Sequence, residues 1–425
     1  MSIVTLGLSL RSRDTRPVRR TRANQFADAV VIGSCVIAPL NLLLVRSLTV
    51  YDLLVAAAFA ELWRSRRLTM PPNTYQILAF CFVLTAVVST FRATYAIEAL
   101  TQVLQYGFIF FIQVPAVISV VKSRRAVLLC LIMLAVGSLG AILLAYVSHD
   151  TQGSGRALVF YSDNPNRLGY PVAYLAPLLL LFWKMSARLS FATLLMSRLM
   201  ILVSTYLCLW ALSASGSRSS LLGAIVAVIV FLAIEPGRTV AGRVLRILIV
   251  FGIAAVAIWV MIVTQNLPAT LEDRIARSFV AEDRATLVAD REHLANAAVH
   301  AFVEFPYLGT GLDNFRYVAV DFDLDATAQL PHNVWLQLLV QVGVVGTAAF
   351  AVLFVVWVRD LLRVRRVVPL AEAYLVNTHL CAIAGLLTIF MFAPEMLDRH
   401  YWLLFSLGVA VFMGLRGNLE SRRSP

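Results

Sequence analysis

Long apolar runs almost free of Asp, Glu, Lys and Arg recur along this chain, most of them long enough to cross a hydrocarbon core about 30 Å thick. Of the 425 residues, 60% are apolar and only 14% charged, too little charge to build a water-soluble surface. The expectation is an all-α integral membrane protein with about twelve transmembrane helices. The spans fall near 27–45, 49–63, 74–91, 96–121, 126–148, 168–185, 191–212, 218–234, 244–264, 334–357, 372–393 and 400–416. A membrane domain over 27–416 then lies between a basic tail at 1–26 and a short tail at 417–425.

The formal net charge of +12 would suit nucleic acid, but the cations sit at the ends of the spans. If the arginine-rich tail from Arg11 to Arg22 is cytoplasmic, every second connection is cytoplasmic too. Those connections carry WRSRRL (63–68), KSRR (122–125), Lys184, Arg188, Arg238, Arg243 and RDLLRVRR (359–366). This is the positive-inside pattern, so the basic balance reports orientation, both termini are expected inside, and no nucleic-acid partner is expected. The first span reads as an uncleaved anchor, since no small-residue cleavage site follows it. Cys35, Cys81, Cys130, Cys208 and Cys381 lie in separate apolar runs without metal-type spacing and read as buried packing residues.

Two connections on the expected outer face are longer than helix joints need to be, 149–167 and the 69 residues of 265–333. The longer one holds five arginines and eleven carboxylates. Its apolar positions Leu287, Leu294, Ala298, Ala301 and Phe305 predict an amphipathic helix lying along the membrane surface. Pro306 then ends it, and PYLGTGLDNF (306–315) turns at Gly309 and Gly311. The glycine pair would also suit a phosphate loop, but a turn is the better-supported reading. DFDLDATAQ (321–329) alternates Asp321, Asp323 and Asp325 in the manner of a cation loop, yet lacks the glycine and closing glutamate, and reads as an acidic loop without metal. His293 and His300 share a helical face with nothing to complete a metal site, and read as surface residues.

Three charged positions meet the membrane at this face. Arg218 follows Ser215 and Ser217, both suited to cap the helix it begins. A cation at the positive end of a helix is poorly placed unless an anion is shared between the side chain and the free N–H groups, and phosphate fits that description. The bland alternative is an arginine snorkelling to headgroups. Arg291, between Asp290 and Glu292, reads by itself as a solvated ion pair. His332 falls just after Pro331 at the mouth of span ten, where an imidazole titrates near neutral pH as a general base must. Asp52 and Glu98 are expected near outer ends, paired with neighbours such as Arg92, and Arg198 is the main charge inside a span.

The ordered set GSR at 216–218, Arg291 followed by a helix and PYLGTGLDNF, and then PHNVWLQLLVQVGVVG from 331 resembles the O-antigen ligase and polysaccharide polymerase superfamily. NPN at 164–166, preceded by Gly155 and Arg156, is similar to a further pattern of that family. The resemblance covers about 150–346 and implies an inverting, metal-independent glycosyltransferase with a GT-C-like membrane architecture and no cofactor. Its donor would be a glycan on undecaprenyl diphosphate. By motif position, Arg218 and Arg291 would hold the diphosphate and His332 would activate the acceptor hydroxyl, with Arg156, Asn164, Asn166 and Arg167 as a substrate rim. The lean is to a ligase acting on lipid A core in a bacterial inner membrane with a periplasmic active face. A polymerase extending an exopolysaccharide or O-antigen on its carrier is the alternative, and a transporter or flippase the alternative of another class.

Overall fold

In the computed structural model the described residues are 22–45, 48–148, 164, 166–187, 189–235, 239–242, 244–246, 248, 252, 256, 281–323, 329–394 and 396–423. Nearly all regular structure among them is helical. The exception is a small antiparallel hairpin of β1 (Leu43–Val45) and β2 (Leu48–Thr49). The helices are α1 (Arg22–Ile37), α2 (Val50–Arg64), α3 (Asn73–Thr90), α4 (Ala96–Phe108), α5 (Val114–Val120), α6 (Arg124–Ser148), α7 (Asn166–Gly169), α8 (Val172–Ser186), α9 (Phe191–Ser215) and α10 (Arg218–Ala233). They continue with α11 (Ala281–Glu304), α12 (Phe315–Phe322), α13 (Val334–Arg365), α14 (Leu370–Phe390) and α15 (Arg399–Arg423).

Seven helical segments are long and apolar enough to cross a membrane: 73–90, 96–120, 124–148, 166–186, 191–215, 334–365 and 370–390. Two shorter apolar helices, 25–40 and 218–233, join them. This is a multi-pass, all-α membrane protein. The expected span at 244–264 falls mostly outside the described residues, as does most of the 149–167 connection.

Helix crossings are tight where small residues let backbones approach. A Cβ on Gly223 of α10 would lie 2.8 Å from the carbonyl oxygen of Gly385 in α14, and one on Gly385 would lie 2.9 Å from that of Gly223. Pro115, without an N–H, follows a π-helical turn at 109–113 that lets α4 run on into α5. By contrast, the N-terminal part of α9 is almost unburied within the protein, and its exposed Leu195, Leu199, Leu202 and Val203 are what a lipid-facing helix requires.

Helix α13 is two helices joined across a break. Gly343 sits there with φ 66° and ψ −173°, outside helical geometry. The carbonyls freed by the break are taken up by the 306–311 turn. Thr310 N–H donates to Val340 O at 2.8 Å, Gly311 N–H to Gln341 O at 3.0 Å, and Val344 N–H to Pro306 O at 2.8 Å. Irregular backbone inside an apolar bundle is tolerated only when protein satisfies it in this way. Gly309 and Gly343 must both be glycine, because each has positive φ and each would drive a Cβ into the opposing backbone. PYLGTG is therefore a docking turn, and at least two of its amides are already used.

At one end of the bundle, Glu235 accepts from Lys184 and Arg246 at 2.5 Å each and from Tyr374 at 3.3 Å. Two strong donors outweigh the upward push of burial and hold its carboxyl below the usual range. Asp360 is paired there with Arg359. The His332 loop lies at the opposite end.

Several sequence expectations are corrected by the packing. Asp52 is not paired with Arg92; it takes a bidentate contact from Arg399 at 2.6 and 3.0 Å, from 347 residues away. Thr49 and Asp52 also close a reciprocal cap at the start of α2. Arg92 instead stacks over Phe305. Arg198 lies inside α9, which begins at Phe191, and its guanidinium stacks on Trp183 at 3.4 Å. Cys81 is exposed on α3 rather than buried, while the other four cysteines are buried.

Candidate functional site: a polar cavity at the end of the bundle

The site begins with Asn333. Its side chain accepts from Trp335 N–H at 2.9 Å and Leu336 N–H at 3.1 Å, which caps α13 and fixes the helix start at Val334. That leaves His332 in the preceding loop, between buried Pro331 and the cap. His332 lines a cavity of about 430 Å³. Burial holds its imidazole below the usual value, and the positive charge of Arg291 pushes in the same direction. Both influences favour the neutral ring, the form able to accept a proton.

Four other parts of the chain reach the same cavity. Gln102 and Tyr106 come from α4, Asn164 and Arg167 from the start of α7, Asp313 and Arg316 from the turn into α12, and Met396 and Leu397 from the loop before α15. Gln337 of α13 stands near His332 on the wall. Asn314 anchors the glycine turn to this end of the bundle. Its amide accepts from Tyr95 N–H at 2.7 Å and donates to Tyr95 O at 3.1 Å and to Leu312 O at 3.0 Å. Asp313 is left with φ 58°, ion-paired to Arg316. Burial raises the Asp313 carboxyl above its usual range against the opposing Arg316 contact.

Of the residues singled out from sequence, His332, Asn164 and Arg167 line this cavity. Arg167 also lies 3.6 Å from Asp398, a buried carboxylate. Asn166 begins α7 and donates its N–H to the Asn164 side chain at 2.9 Å. Arg156 lies outside the described residues.

Arg218 and Arg291 are not among the lining residues. Arg218 is exposed at the first position of α10, where Ser217 accepts from Ser220 N–H, as its spacing predicts. Its helix start sits directly against α7, because a Cβ on Gly169 would meet the Ser215 and Ser220 hydroxyls at 2.7–2.8 Å. Arg291 is exposed on α11, whose buried face of Leu294, Ala297, Ala298 and Ala301 packs with Phe315 and Ala319 of α12 and Val340 of α13. That packing brings α11 and α12 against α13, and Arg291 near enough to His332 to influence its proton.

The acidic loop is used structurally, since Asp323 takes His293 at 3.0 Å. Asp325 lies outside the described residues. Among the described residues no group of three or more His, Cys, Asp or Glu side chains is arranged to hold a metal ion.

Gln102, Asp313, Arg316 and Gln337 were not singled out from sequence. Arg316 and Asp313 carry a usable signal, two opposite charges three residues apart just after the glycine turn. Gln102 and Gln337 carry none beyond being polar in apolar helices.

This arrangement defines a class: a multi-span helical membrane protein with a neutral histidine and flanking cations in a polar cavity at one end of its bundle. Residues 201–351 match the family described as O-Antigen ligase, and over that stretch the resemblance to the O-antigen ligase and polymerase superfamily holds. The matched stretch contains Arg218, Arg291, His332 and the glycine turn with its docking helix. No curated protein matches the chain significantly.

Proposed function

We propose that this protein transfers a glycan from undecaprenyl diphosphate to an acceptor hydroxyl, in the manner of an O-antigen ligase. The observation that carries the reading is His332, neutral and half-buried in a polar cavity, within the influence of the Arg291 charge and inside the matched stretch. A sugar on a diphosphate already has a good leaving group. The protein has to remove a proton from the attacking oxygen and neutralise the charge that grows on the departing phosphate.

His332 is the base in this reading. Arg218 and Arg291 hold the diphosphate, since a guanidinium keeps its charge and donates paired hydrogen bonds to phosphate oxygens. Arg167 and Asn164 form part of the rim, with Asn166 and Arg156 beside them. The attack proceeds with inversion and without a metal. The arginine- and lysine-rich end of the bundle lies in the cytoplasm, and the cavity opens to the periplasm of an inner membrane. The architecture is of the GT-C type with about twelve spans. Lipid A core is the acceptor for the ligase form. Extension of a carrier-bound exopolysaccharide or O-antigen is the polymerase form.

The test is transfer by purified Arg218→Ala, Arg291→Ala and His332→Ala proteins that remain folded. Each is expected to lose about 10²–10³-fold in rate. Full activity in any one removes that residue from the site. A deletion strain separates the two forms: long unattached chains mark the ligase, and short glycans accumulating on carrier mark the polymerase.

A further inference from the structure

The cavity has a wall that the proposed chemistry does not use. Gln102 of α4, Asp313 and Arg316 of the α12 turn and Gln337 of α13 all line it. Gln337 is 8% exposed, and its Oε1 has no hydrogen-bond partner among the described residues; its amide group reaches Gln341 at 3.4 Å. The Nε of Arg316 is also buried without a partner, although its other end pairs with Asp313. The Gln102 side chain contributes a hydrogen bond to Asp313. Buried polar atoms are rarely left unmatched, so a wall holding two such atoms is built for something that brings hydrogen bonds.

We propose that Gln102, Gln337 and the Asp313–Arg316 pair form a binding subsite for a neutral sugar ring of the acceptor, placed beside His332. The proposal rests on the glycan-transfer reading above. Two features select a sugar over a phosphate. The charges on this wall cancel within one ion pair, and the Asp313 carboxylate repels an anion. The unmatched Oε1 of Gln337 only accepts, and an ionised phosphate has no proton to give it, whereas a hydroxyl does. A hydroxyl, which both donates and accepts, therefore suits this wall. Two features select the acceptor. The wall shares the cavity with the proposed base, and the two proposed diphosphate arginines do not line that cavity. A volume near 430 Å³ is of the size that holds a small ligand.

The full chain in lipid nanodiscs is assayed with undecaprenyl-diphosphate-linked glycan as donor, and with lipid A core or a second carrier-linked glycan as acceptor, whichever supports turnover. Gln337→Leu and Gln102→Leu are each expected to raise the acceptor KM by about tenfold, because a hydroxyl then loses its partner in a buried site. The donor KM and inhibition by added pyrophosphate should stay those of the parent. Gln102 is only half-buried, so its variant decides the question if Gln337→Leu fails to fold. Two outcomes overturn the subsite alone: an unchanged acceptor KM while His332→Ala is inactive, or pyrophosphate inhibition that weakens in step with the KM. No transfer to either acceptor, or full transfer by His332→Ala, overturns the underlying reading and the subsite with it.

Discussion

His332 is poised by two influences of the same sign, burial and the nearby Arg291 charge, and both disfavour the imidazolium. A histidine whose value is depressed stays neutral above that value, so the base form fills as pH rises through a point below 6.5. Transfer should then be flat through neutral pH and fall on the acid side only below 6.5. Arg291→Gln removes one of the two influences. The acid limb of its residual activity is expected to move up toward 6.5, measured as the pH profile of kcat/KM; an unmoved limb would separate the two residues. Asp52 and Arg399 make a different residue-scale case, since both are nearly fully buried. Arg399→Met strands a carboxylate in the bundle and should cost about 3–5 kcal/mol, read as a lower melting temperature in detergent. Sequence pointed to an Arg92 partner because near neighbours are the natural choice. A contact spanning 347 residues leaves no local trace.

At the scale of elements, the latch between the 306–311 turn and the break in α13 decides whether the cavity exists. Gly343→Ala places a Cβ against the Tyr307 carbonyl at a positive φ and is expected to cost about 3 kcal/mol or more. The check is the yield and melting temperature of folded protein. Asn314→Ala removes two hydrogen bonds that tie the turn to the α3–α4 joint and one within the turn, and should cost about 1–3 kcal/mol, with an accompanying loss of transfer. The starts of these elements were legible in the chain: Ser217 caps α10, Pro306 ends α11, and α13 begins two residues after His332. The break at Gly343 was not, because LLVQVGVVGTAAF is an uncharged, mostly apolar run and the glycine's conformation is imposed by the 306–311 turn that docks on it. The charge of Arg316, three residues after Asp313, was visible in the chain, but its place on the cavity wall was not, because that depends on how the turn folds.

Over the whole molecule, apolar blocks and charge alternation made the membrane class legible, because both follow from the solvent rather than from particular contacts. The convergence of α4, α7, α12 and α13 with Pro394, Met396 and Leu397 on one cavity depends on helix packing and was legible only in part, through the order of the motifs. Sidedness is open to direct test in a cysteine-free background. Glu304→Cys should react with a membrane-impermeant thiol reagent added from the periplasm, whereas Arg363→Cys at the opposite end should react only after lysis. Labelling of Arg363→Cys in unlysed cells would invert the orientation.

The latch also limits how this protein can be recombined with its relatives. A turn whose amides complete another segment's backbone is half of a single unit, so exchanging the extramembrane excursion alone would leave the recipient with mismatched halves. Productive chimeras should have to carry 305–344 as one cassette, and crossovers inside it should yield protein that inserts but does not assemble.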